Sequence, residues 1–197
     1  MNYLAHLYFS AATPHAWAGS LMGDFVKGAV PEDWPQELKL HLYLHRKLDR
    51  FTADDPIFAQ SRMRLDPRFR YARGILVDVF YDHFLARNWS RYSDQPLEFF
   101  SRDVYRGLLQ CFELLPAALQ QQLPRMIEYD WLTSYQYPDV VLRVLQRLQQ
   151  RLKNRFPLTD AFSDLERWGD DLEADFFRFM PVAANEMNKW REQAAVD

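Results

Sequence analysis

Glycine is scarce, with six in 197 residues, and cysteine is nearly absent, with only Cys111. Strands joined by tight turns need glycine at positive φ, so the shortage favours helices. One cysteine excludes an internal disulfide and a thiolate zinc site; beside Phe112 in a helical pattern it reads as a buried, inert thiol. No stretch approaches the roughly 18 apolar residues of a membrane span. No basic segment followed by an apolar run opens the chain, so a secretory signal is not expected and a cytoplasmic setting is. Positive charge is not in excess: the net charge is −3 and the pI about 6.0, against general nucleic-acid binding. What is abundant is apolar and aromatic: 48% hydrophobic residues and six tryptophans, enough for a sizeable core.

Proline punctuates a helical pattern. A short apolar segment, 2–10, is ended by Pro14, and helix is predicted over 15–28, closing at Gly28. Further helices are predicted over 36–51, 57–64 and 72–90, with Asp55-Pro56 as a helix start. Pro96 opens a segment to about 115, and Pro116 and Pro124 divide helices at 117–122 and 124–134. The last two run over 138–155 and 160–180, with the tail beyond Asn185 continuing as helix. No repeat, linker or shift in composition divides the chain. The expectation is an all-α, single-domain helical bundle over residues 1–197.

The segment 72–90 carries the sharpest signal. From Ile75 to Phe84 apolar residues lie on every side, the pattern of a helix buried most of the way round. Asp78 and Asp82 stand one turn apart within it, with His83 alongside. Two buried carboxylates on one face repel and resist desolvation, so a positive partner is required: a divalent metal or a set of arginines. Asp82 shares the face of Asp78, whereas His83 diverges from it by about 100°. On the 36–51 helix His41, His45 and Asp49 are spaced four and four, which suits metal ligation or an ordinary ion pair. Asp24, in Gly23-Asp24-Phe25-Val26-Lys27-Gly28, reads as a ligand or as a solvated carboxylate near a helix end. His6, in an apolar segment, reads as a hydrogen-bonded core residue or a functional one. Four segments thus each offer His or Asp in apolar surroundings, the way helix bundles build metal sites.

These residues lie in blocks that resemble the acyl-carrier-protein phosphodiesterase family. The blocks are Met1-Asn2-Tyr3-Leu4-Ala5-His6-Leu7, Gly23 through Gly28, His45-Arg46-Lys47-Leu48-Asp49 with Thr52, and Arg73 through Asp78. Asp82-His83-Phe84-Leu85 with Trp89, Trp131-Leu132 with Tyr135, and Phe176-Phe177 with Phe179 and Pro181 complete them. The resemblance implies a helical fold related to the HD-type metal-dependent phosphohydrolases. It also implies hydrolysis of the 4′-phosphopantetheine arm from holo acyl carrier protein, with manganese as the usual metal. The chain has no His-Asp dipeptide; Asp82-His83 is the reverse order, and Thr52-Ala53-Asp54 stands where Thr-Asp is expected.

On that basis Asp24, His45, Asp78 and Asp82 are expected around the metal or its waters, with Asp49 a fifth ligand or a support behind one. Carboxylate and imidazole without thiolate favour Mn²⁺ or Mg²⁺, with Fe²⁺ and Zn²⁺ also compatible. Lys27, Arg46 and Arg73 are expected to bind phosphate oxygens, and His83 or His6 to protonate the leaving group. An acidic carrier needs a basic patch. Arg62, Arg64, Arg68, Arg70 and Arg73 form the richest cluster, and Arg143, Arg147 and Arg151, spaced four apart, a second stripe. A nucleotide phosphohydrolase with the same ligands and a non-catalytic carrier-binding module are the alternatives.

Overall fold

A computed structural model describes residues 2–194, and among them it contains helices and no strand. The ten α-helices are α1 (Tyr3–Tyr8), α2 (Pro14–Met22), α3 (Gln36–Asp54), α4 (Pro56–Arg64), α5 (Arg73–Arg87), α6 (Leu97–Gln110), α7 (Ala117–Glu128), α8 (Trp131–Ser134), α9 (Pro138–Arg151) and α10 (Ala161–Ala194). The all-α class is therefore as expected.

Local chemistry sets the helix starts. Thr13 accepts a hydrogen bond from the Ala16 amide with Pro14 at the first helical position of α2. Asp55 accepts from Ile57 and Phe58 ahead of α4, with Pro56 in the same place. One expected break is absent, and a second proline is also carried inside a helix. Pro124 lies inside α7 and Pro181 inside α10, which runs unbroken for 34 residues. Both prolines are exposed, so the carbonyl each leaves without an amide partner is on the side water can reach. Conversely, α2 stops at Met22 rather than at Gly28, and residues 23–28 form a loop in which Gly28 takes φ +80°. Arg46 fixes that loop by donating to the carbonyls of Val26 and Gly28, at 2.8 and 2.9 Å.

Helix α5 runs through the core with ten of its fifteen residues buried. One side meets α1, and α4 and α10 pack on another. Tyr81 of α5 stands against Phe58 and Phe176, with ring centroids 5.5 and 5.4 Å away. Its hydroxyl shares a 2.9 Å hydrogen bond with Ser61, and Ser61 donates to Asp175. Arg64 and Arg178 pair with the buried Asp175 carboxylate, which satisfies the polar chain where α4 meets α10.

Helices α2 and α3 approach closely because Gly19 of α2 and Gly23, just past its end, face α3. A Cβ on Gly19 would stand 2.2 Å from the Leu38 carbonyl oxygen, and one on Gly23 would stand 2.2 Å from the His45 ring. No real side chain fits either position without moving its neighbour. This contact brings the imidazole of α3 under the end of α2, where Asp24 begins the loop.

Candidate metal centre and its cavity

Three side chains from two helices converge beside that contact. His6 comes from α1; His45 and Asp49 come from α3. Their ligand atoms lie within 4.8 Å of one another, so the group is able to hold a metal ion. His6 Nε2 is 3.1 Å from one oxygen of Asp49, and His45 Nε2 is 3.1 Å from the other. The two imidazoles stack with centroids 3.7 Å apart and planes 17° from parallel. Asp24 enters from the loop, its oxygen 3.7 Å from His45 Nε2.

The tautomer of His45 carries the chemistry. Its Nδ1 is 2.7 Å from the Ser20 carbonyl oxygen, which only accepts, so Nδ1 carries the proton. In the neutral ring Nε2 then holds a lone pair. That atom is buried and makes no well-aligned hydrogen bond among the described residues, although carboxylate oxygens stand 3.1 and 3.7 Å away. An unprotonated Nε2 would repel these carboxylates, so a cation belongs there, either a proton on the ring or a metal ion. Burial, and then the neighbouring His45, push the pKa of His6 down to about 3, so its imidazole is neutral at pH 7 and able to ligate. A divalent ion satisfies all of these groups together, and a backbone carbonyl behind a ligating histidine is the usual way of aiming one. The donor set of imidazole and carboxylate fits such an ion.

The surrounding acids follow the same electrostatics. Burial opposes ionisation of Asp49, but His45 and His6 outweigh it and hold the carboxyl well below the usual range. Asp78 is pushed the other way, by burial and by the charges of Asp49 and Asp24. Asp78 thus stands within electrostatic reach of the cluster. Asp82 does not present its carboxylate to it. The side chain is fully buried and accepts from the amides of Leu4, at 2.8 Å, and Ala5, at 3.1 Å. Burial nonetheless drives its pKa up to about 7, with those two amides pulling against the rise. Asp82 therefore anchors the first turn of α1, the turn that leads into His6. His83 points elsewhere, donating from Nδ1 to the Tyr135 carbonyl at 2.7 Å.

A cavity of about 770 Å³ is lined by Asp24 and Asp78, the acids that neighbour the cluster, while His6, His45 and Asp49 lie behind them and do not line it. That is within the size range of small-molecule sites. Its walls are apolar along α9, at Val140, Val144, Leu148 and Leu152, and Tyr3 and Tyr135 supply hydroxyls. Burial, reinforced by Asp24, raises the Tyr3 hydroxyl to about 12, so it stays a donor at neutral pH. Lys27 lines the mouth, as do Arg143, Arg147 and Arg151. Of the other expected phosphate contacts, Arg46 is committed to the loop carbonyls. Arg73 does not line the cavity; its Nε is 3.3 Å from the Arg70 carbonyl oxygen.

The sequence reading puts Asp24, His45, Asp78 and Asp82 at the metal, Asp49 as a fifth ligand or support and His6 as an acid. The structure instead groups His6 with His45 and Asp49, leaves Asp24 3.7 Å from His45, and takes up the Asp82 carboxylate on backbone amides. The sequence reading gives Gly23 no role beyond the loop motif. A glycine one helical turn after Gly19 at the end of an apolar segment is the signal that a close helix contact was due.

Comparison with known proteins gives one consistent picture. The family model described as acyl carrier protein phosphodiesterase matches residues 1–183. A curated protein of Klebsiella pneumoniae named acyl carrier protein phosphodiesterase is 32% identical over 182 residues, covering 92% of this chain and 94% of its own. Proteins of the same name from Escherichia coli and Enterobacter are 32% and 29% identical, with the same coverage. No solved structure matches the chain.

Proposed function

Since this chain belongs to the acyl carrier protein phosphodiesterase family, an enzyme family of phosphodiester hydrolases, we propose that it releases the 4′-phosphopantetheine arm from holo acyl carrier protein and leaves the apo form. The observation that carries the reading is the group of His6, His45 and Asp49, with the buried His45 Nε2 facing two carboxylates, beside a cavity of suitable size. His6, His45 and Asp49 would hold a divalent ion, with Asp24 and Asp78 at its cavity side; the donor set and the family resemblance favour Mn²⁺. Such an ion supplies charge neutralisation at the phosphoryl oxygens and a more acidic water.

The chain's own residues do the rest. The arm lies in the cavity against the apolar face of α9, with its phosphodiester at the end bounded by Asp24 and Asp78. Lys27, on the loop pinned by Arg46, takes a phosphate oxygen. Asp78, whose affinity for a proton is raised by its setting, accepts the proton of the attacking water. The Tyr3 hydroxyl, protonated at neutral pH, donates to the oxygen of the departing serine. Asp82 keeps His6 in register through α1, and His83 stays outside the reaction. The setting is read as cytoplasmic; no helix among the described residues is long and apolar enough to cross a membrane.

The test is mass spectrometry of holo acyl carrier protein incubated with the enzyme and Mn²⁺. Conversion to the apo mass, abolished by His45→Ala, supports the reading. Unchanged holo carrier, with wild-type enzyme that has bound the metal, refutes it.

A further inference from the structure

The arm is covalently tied to a protein, so the rim of the cavity must meet that protein's surface. The rim is positive along one helix. Arg143, Arg147 and Arg151 of α9 are exposed and line the cavity mouth, although the chain as a whole has a net charge of −3. Among the described residues, no carboxylate stands within ion-pair distance of Arg147 or Arg151. Arg143 pairs only with Asp139, four residues earlier on the same exposed face. A pair of that kind is worth little and is readily exchanged. Arg147 also stands 5.9 Å from the ring of Trp131, another residue of the cavity wall, which places its charge at the entrance.

The richer arginine run at 62–73 is differently placed. Arg64 is paired with Asp175 and Asp171, and Arg68 with Asp66 and Asp160. None of Arg62, Arg64, Arg68, Arg70 and Arg73 lines the cavity.

We propose that Arg143, Arg147 and Arg151 form the docking surface for the carrier protein, receiving an acidic helix of it while the arm enters the cavity. Steps of four residues put successive guanidinium groups about 6 Å apart along α9, the distance at which a second helix repeats its carboxylates. Charge steers this encounter and sets its orientation, while the apolar cavity holds the arm. The proposal rests on the reading of the cavity as the arm's site, but the docking of the protein is separable from the arm.

Apo carrier protein, which has no arm, is therefore the probe. Fluorescence anisotropy with labelled apo carrier would be measured on the wild type, on Arg147→Glu/Arg151→Glu and on Arg62→Glu/Arg70→Glu. At low salt the first variant should weaken binding at least ~10-fold and flatten the salt dependence, and the second should leave both unchanged. Arg147→Gln/Arg151→Gln, with a smaller loss, guards against misfolding of the reversed pair. Unchanged binding in the α9 variants, a loss confined to the 62/70 pair, or no binding of apo carrier by the wild type overturns the proposal. Holo carrier turnover is scored separately. Turnover with no α9 effect removes the docking surface and keeps the hydrolase; an α9 effect without arm release does the reverse.

Discussion

Replacing Asp82 with alanine separates two roles that the sequence left together. Asp78 and Asp82 share a helix face, yet the carboxylate of Asp82 is taken up by the amides of Leu4 and Ala5, both at 0% exposure. Water cannot replace the lost acceptor there without opening the core. Each buried donor left unsatisfied costs about 1–3 kcal/mol. Some of that is offset because the carboxyl itself is buried against its preference, as its pKa near 7 records. A net loss of about 2–4 kcal/mol follows. In a chain of 197 residues each kcal/mol moves the melting temperature by about 2–4 °C, so a fall of about 5–15 °C is expected. Asp82→Asn retains one acceptor oxygen but places an amide NH₂ against a backbone donor, and should fall in between. Melting followed by circular dichroism, with chelator and again with Mn²⁺, makes the distinction. A structural anchor gives the same fall in both conditions. A fall under about 2 °C, or one seen only with metal present, would show the reasoning to be wrong and make Asp82 a ligand.

Three further outcomes are expected. Gly23→Ala adds a Cβ 2.2 Å from the His45 ring, so the ring must move; Mn²⁺ affinity measured by calorimetry should drop about 10-fold or more, and unchanged affinity would contradict the close-contact account. Arg46→Ala removes both bonds to the loop carbonyls and should raise KM for the carrier more than it lowers kcat, with faster proteolysis at residues 26–30; equal loss in both parameters would count against a positioning role. For Asp175, burial opposes ionisation, but Arg64, Arg178 and Ser61 prevail and hold its pKa below the ordinary value. A depressed folded pKa stabilises above the unfolded value of about 4, and that stabilisation fades as pH falls through the folded value. Urea unfolding should therefore show a large Asp175→Asn deficit at pH 7 that shrinks toward pH 3; a deficit independent of pH would contradict the ion-pair account.

Much of this was legible in the chain, and the remainder has physical reasons. Helix α5 declared its burial through apolar residues on every side, and Asp55-Pro56 declared the start of α4. Pro124 misled because a proline on a solvated helix face breaks only one hydrogen bond, and the packing of the neighbouring turns compensates. For the site, spacing along one helix could place His45 with Asp49 but not choose between Asp82 and His6. That choice depends on where α1 lands against α5, a contact between segments 77 and 78 residues apart in sequence. Nor could sequence separate the two arginine groups. Counting arginines favours the 62–73 cluster, while neutralisation by Asp175, Asp171, Asp66 and Asp160 is a product of the tertiary fold.

The metal centre is most directly tested by titrating metal-free protein with Mn²⁺ and following free ion by electron paramagnetic resonance. Saturable binding by the wild type, weakened at least ~10-fold by His6→Ala, His45→Ala or Asp49→Ala and retained by His83→Ala, is the expected result. Absence of saturable binding in the folded wild-type protein, or equal binding by all four variants, would contradict it.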